Sequence, residues 1–257
     1  MTSFLDRIAG APITWGVDGS PGWGHLMDRD RVLREMHDVG LKATELGPDG
    51  YLPVDPVALN PVLEQHDLSL IGAFVPLVLY RPDLIEDQRA YADRAAATLA
   101  GAGSDILVLG PASSHDGYDT RISLDDEEWE YFIRNVEWVD DNSSEHGLTA
   151  AVHPHYGMAV DLRRDIYRLL DDCDVGLCLD TGHVFLGGAD PVEVARAAGD
   201  RTVHVHLKDV DPVMGEQVMA GERPFRQAVI DGLFTPLGQG AVDIAGVIRH
   251  LESIGFQ

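Results

Sequence analysis

The sequence predicts an α/β chain folded as a (β/α)8 TIM barrel, and three observations predict it. Short apolar runs at 8–15, 41–46, 68–75, 105–109, 148–153, 175–179 and 202–207 alternate with longer amphipathic stretches. That alternation is the pattern of βαβ units and a parallel sheet. No Gly-x-Gly-x-x-Gly follows the first run, so an open dinucleotide-binding sheet is disfavoured. Several runs also carry His, Asp or Glu in or just past their carboxyl ends, and barrels build their sites at the carboxyl ends of strands.

The elements follow in order. Helical stretches are predicted at 29–39, 56–66, 82–100, 125–146, 161–170 and 191–198. Asp30, Asp55, Asp125 and Asp190 stand near starts, while Gly40 and Gly147 stand just past ends, as capping chemistry favours. A last helix at 242–254 follows a long connection, 209–240, with its own helical piece at 216–231. Connections of that length are usually lids or carry their own structure. The runs supply seven strands, and the eighth is expected beyond Gln257, so the chain reads as one barrel domain over 1–257 whose native product continues with a closing strand.

Composition narrows the function. With 257 residues, 45% hydrophobic and 24% charged, disordered, collagen-like and coiled-coil readings drop out. The 19 Lys+Arg against 43 Asp+Glu leave a net charge of −24, which argues against nucleic acid or an anionic membrane as partner. Lys42 and Lys208 are the only lysines; such scarcity fits either a protein kept soluble in high salt or a GC-rich gene. The first residues lack the basic flank and apolar run of a signal or membrane anchor, so the cytoplasm is expected. Cys173 and Cys178 are read as packing residues.

Strand parity selects the candidate site. In 201–209, Val203, Val205 and Leu207 share one face, and His204, His206 and Lys208 the other. Cys178 and Asp180 oppose Leu177 and Leu179, His153 and His155 oppose Val152, and Glu45 opposes Thr44 and Leu46. Burying so many ionisable groups without a partner costs several kcal/mol each, roughly, so a divalent cation is the economical explanation. Mixed His and Asp ligands suit Mn, Co, Fe or Zn, with Mg less apt. His204, one layer below the strand end, reads as a core histidine. Glu45 is either a site residue or a loop salt bridge, and Lys208-Asp209 either a site element or a surface pair. Trp15, Trp23 and Tyr51 are candidates to wall a pocket, while Gly22-Trp-Gly24 and Gly47-Pro-Asp-Gly50 read as turns first.

These motifs resemble a known family. Leu179-Asp-Thr-Gly-His183 and Val205-His-Leu-Lys-Asp209 are similar to strands six and seven of the xylose-isomerase-like sugar isomerase/epimerase barrels. Gly10-Ala-Pro-Ile-Thr-Trp-Gly16, Thr44-Glu-Leu-Gly-Pro-Asp-Gly-Tyr-Leu-Pro53, His153-Pro-His-Tyr-Gly157 and Pro236-Leu-Gly-Gln-Gly-Ala-Val-Asp243 look further like its inosose dehydratase branch. The resemblance implies one divalent metal, Mn or Co favoured, held by Asp180 and His206, with His153 where the family's strand-five Glu stands and His155 its rival. The family's strand-eight Glu has no counterpart within the sequence. The resemblance further implies dehydration of a small neutral polyol-ketone, with Glu45, His155, His183 and Lys208 as acid, base and charge-stabilising residues, and barrels that often associate as homo-oligomers. A metal-dependent sugar isomerase or epimerase is the runner-up. A DNA-cleaving relative is disfavoured by the charge, and a third alternative is a scaffold without its metal.

Overall fold

The computed structural model describes residues 7–19 and 23–256. The predicted first strand is reduced to a single bridge, Gly10 lying parallel to Thr44, because Pro12 opens a 3-10 helix, Pro12–Trp15. Proline has no N–H for a ladder and its fixed φ suits a first helical position. Gly16, at φ 75°, ends the turn.

The described elements then run α1 Arg29–Asp38, β1 Ala43–Glu45, α2 Pro56–Glu64, β2 Ser69–Pro76, α3 Ile85–Gly101, β3 Ile106–Gly110, α4 Asp126–Glu145, β4 Thr149–Val152, α5 Arg163–Asp172 and β5 Gly176–Asp180. They continue with α6 Thr181–Leu186, α7 Pro191–Ala198, β6 Thr202–His206, β7 Asp209–Val210, α8 Pro212–Met219, α9 Phe225–Ile230, β8 Phe234–Thr235 and α10 Ile244–Ile254. β1 to β6 form one parallel sheet in sequence order. The helix caps follow the sequence: Asp55, Asp125 and Asp190 accept backbone N–H bonds at the starts of α2, α4 and α7, while α1 is capped by Asp28, with Asp30 in its first turn.

The sheet is curled, since the ends of β1 and β6 meet across its inner face: His204 Nε2 lies 2.8 Å from Glu45 Oε1. Outside it, Leu33, Met36, Leu59, Leu107, Phe132 and Leu177 pack in the layer between strands and helices. Each such fully buried side chain contributes about 1.5–3 kcal/mol. Inside it, Val108, Ala151 and Cys178, with Phe74, Ile106 and Val203, floor the barrel. Val203 departs from the predicted parity because the register shifts opposite Leu177/Cys178. The extra residue of that irregularity turns Val203 inward while leaving His204 opposite Cys178.

The long connection carries more structure than predicted. Its helical piece splits into α8 and α9 around Gly221 and Pro224, and β7 pairs antiparallel with β8. Asp209 is fully buried and accepts N–H bonds from Val210, Gly238, Gly240 and Val242, so it pins this segment instead of forming a surface pair with Lys208. Tyr156, Phe225, Leu233 and Val242 join a second cluster over the carboxyl end of the sheet. Both cysteines are buried and free. The predicted eighth strand and Gly22 lie outside the described residues.

Candidate metal centre

Asp180 ends β5 and pairs in register with His206 at the end of β6, which brings both side chains to one point. Asp180 Oδ2 is that point: it accepts from His153 Nε2 at 3.1 Å, bonds the Lys208 ammonium, and lies 3.6 Å from His206 Nδ1. Its other oxygen caps α6 by accepting the His183 N–H at 3.0 Å. That cap explains why Leu179-Asp-Thr-Gly-His183 turns from strand to helix at once, and it seats His183 beside the same carboxylate.

A second layer lies beneath. His204 and His206 both donate Nε2–H to Glu45 Oε1, at 2.8 and 2.7 Å. Burial alone would raise Glu45, yet the adjacent His206 and His204 hold its carboxyl well below the usual range. Asp180 is likewise held low against its burial by Lys208, His183 and the imidazole hydrogen bonds. Burial alone would lower His206, but Cys178, Glu45 and Asp180 raise it well above the ordinary imidazole value. Burial pushes His153 down to about 4, only partly opposed by its bond to Asp180.

These residues fit a divalent cation. His206 meets both carboxylates either as an imidazolium, with Nε2–H on Glu45 and Nδ1–H toward Asp180, or as a neutral ring whose Nδ1 lone pair and the Asp180 carboxylate share a cation. His153 Nδ1 is buried without a hydrogen-bond partner, a further unspent donor atom. Ligand-competent atoms approach within 4.8 Å in the sets His153, Cys178, His206; Glu45, His204, His206; and His153, Asp180, His183.

Beside the centre stands an imidazole pair. The His155 and His183 rings are 3.7 Å apart, and burial followed by repulsion from a neighbouring histidine depresses both well below the usual value, so both are neutral at pH 7. They are held by the turn after β4. His155 N–H bonds Val160 O, and Gly157 sits at φ 75°, where a Cβ would lie 2.2 Å from Tyr118 O. Asp161, 1% exposed, accepts from Gly157 N–H and from Arg121 Nη2 at 3.4 Å and is ion-paired with the Arg121 guanidinium, whose Nη2 also donates to Leu186 O. Tyr118 packs 4.5 Å from His155, with Phe225, Phe234 and Trp23 completing an aromatic wall.

The structure thus brings together Glu45, His153, His155, Asp180, His183, His206 and Lys208, with Trp23 at the wall. Trp15 and Tyr51 are elsewhere: the Trp15 indole donates to Glu35 of α1, and Tyr51 packs against the outer core with a buried, unpartnered hydroxyl. Sequence reasoning left out His204 as a participant, although parity placed it on the right face. It also missed Arg121, Asp161, Tyr118 and Phe225, whose roles arise from loops that carry no periodic signal.

The chain is similar to several known proteins. A family model described as xylose isomerase-like TIM barrel matches residues 33–257. The inosose dehydratase of Geobacillus kaustophilus is 32% identical over 97% of this chain and 84% of its own length. The rhizopine catabolism protein MocC of Rhizobium meliloti is 32% identical over 98% of this chain and 79% of its own. Among solved structures, the IolI protein with a bound zinc atom superposes with a TM-score of 0.71 over 97% of this chain and 85% of that one, at 17% identity.

Proposed function

The chain belongs to the xylose isomerase-like TIM-barrel family, and on that premise we propose that it is a divalent-metal-dependent dehydratase of a keto-inositol, removing water from a small neutral polyol-ketone. The observation that carries the reading is the neutral His155–His183 pair beside the Asp180–His206 register pair. Its likeness to a 32%-identical inosose dehydratase supplies the substrate class. A charge of −24 suits a neutral ketone better than a sugar phosphate, and Arg121, behind Tyr156, is committed to Asp161.

Asp180, His206 and His153 would hold the metal, of which Mn and Co are the favoured identities and Zn, Fe or Mg the alternatives. When bound, such an ion supplies Lewis-acid polarisation of a carbonyl oxygen. The chain's own groups do the rest. A neutral imidazole accepts the proton α to the ketone, the β-hydroxyl leaves as water, and Lys208, whose ammonium reaches Asp180, steadies developing negative charge on oxygen. The aromatic wall of Tyr118, Phe225 and Trp23 keeps bulk water from the ring carbons.

Incubation of an inosose with the chain supplied with Mn, Co or Zn should build an enol or diketone absorbing in the ultraviolet, and prior chelation should stop it. Incorporation of solvent deuterium into a substrate of unchanged formula, with no enol or diketone formed, would assign epimerase chemistry instead. No product and no exchange with any of these metals would end the reading.

A further inference from the structure

The two imidazoles flank a single residue whose backbone addresses them oppositely. Tyr156 O lies 2.8 Å from His155 Nδ1, and Tyr156 N–H points at His183 Nδ1 at 3.4 Å. A carbonyl oxygen only accepts and an amide N–H only donates. His155 therefore carries a hydrogen on Nδ1, which leaves Nε2 as its one nitrogen able to offer a lone pair, whereas His183 carries its lone pair on Nδ1 and its hydrogen on Nε2. Among the described residues, no hydrogen-bond partner takes either Nε2.

From this we infer that Tyr156 sorts the pair: His155 is the proton acceptor, and His183 is the hydrogen-bond donor to a substrate oxygen. The assignment rests on the dehydratase reading above, which leaves the two roles open. The surroundings keep the sorting in place. Pro154 fixes the chain before His155, and Gly157 turns it immediately after Tyr156. Arg121 stacks 4.2 Å over the Tyr156 ring while holding Asp161, and Phe225 stacks with the same ring at 4.5 Å. The two peptide units that flank Tyr156 cannot rotate without disturbing those contacts.

The step balances with no further reactant. The C–H bond α to the ketone breaks and its proton moves to His155 Nε2. Its electron pair forms an enolate, whose reprotonation by His155 accounts for exchange; when the enolate re-forms the ketone, that pair becomes the new C=C bond as the β C–O bond breaks, and the same proton leaves with the hydroxyl as water. His155 returns to neutrality, and His183 keeps its Nε2–H throughout.

Two-bond 1H–15N correlation of the histidine-labelled whole chain at pH 7 reads the tautomers directly, with His155→Gln and His183→Gln used only to assign the signals. The expected spectrum has His155 protonated at Nδ1 and His183 at Nε2; the same tautomer at both, or the inverse pair, overturns the inference. In the reaction, His155→Gln should lower solvent-deuterium exchange by about 10²–10⁴-fold. His183→Gln should slow elimination by about 10²-fold while leaving exchange measurable. The opposite ordering also overturns it. An unmutated chain that neither exchanges nor eliminates would instead sink the dehydratase reading, with the spectra still deciding the tautomers.

Discussion

Glu45 shows how a single carboxylate can orient two imidazoles of the centre. It is 7% exposed and spends one oxygen on two imidazoles, which orients His206 so that its Nδ1 faces Asp180. Partners of this kind fix the ring and tautomer of a metal-binding histidine, and their loss typically costs 10–100-fold in affinity. Glu45→Gln is therefore expected to weaken Zn binding by about that factor in a competition titration with a chromogenic chelator. Unchanged affinity would return Glu45 to an acid or base role. At this scale the sequence was informative where alternation holds: Asp180, His153 and His206 converge as parity requires. It was uninformative where a side chain's partner lies far along the chain, as for His204, which meets Glu45 at a separation of 159 residues.

Among the elements, the segment after β6 depends on Asp209. Burial by itself would raise this carboxyl, but the N–H groups of Gly240, Val242, Val210 and Gly238 outweigh it and hold it below the usual value. Asp209→Ala strands those donors and is expected to destabilise the chain by about 3 kcal/mol, seen as a lower urea midpoint with unchanged slope. The sign with pH follows from the depressed value. The stabilisation is present above the unfolded carboxyl's pKa of about 4 and is lost as pH falls through the folded one, so chain and variant should converge in stability below roughly pH 4. Equal stabilities at pH 7 would show the bonds to be dispensable. Strands and caps were legible because periodicity and Asp at helix starts are local signals. The replacement of the first run by a 3-10 turn was not, because its apolar residues satisfy strand and helix patterns alike and Pro12 decides between them.

Over the whole molecule, 43 acidic against 19 basic side chains leave a field that opposes compaction. Raising NaCl from about 10 mM to about 150 mM shortens the Debye length from roughly 30 to 8 Å, so the unfolding temperature should rise across that range. A flat or falling curve would show that repulsion among the carboxylates is already neutralised in the fold. Among the described residues no helix is long and apolar enough to cross a membrane. By itself the sequence determined the alternation of strands and helices, the parallel sheet and the inward set of His, Asp and Glu, because each is written in spacings of a few residues. Only the tertiary structure decided which of those groups touch, that His204 and Glu45 support His206, and that the backbone of Tyr156 turns its C=O to His155 and its N–H to His183. Curling of the sheet brings residues together across 150 positions and more, and no local pattern encodes that distance.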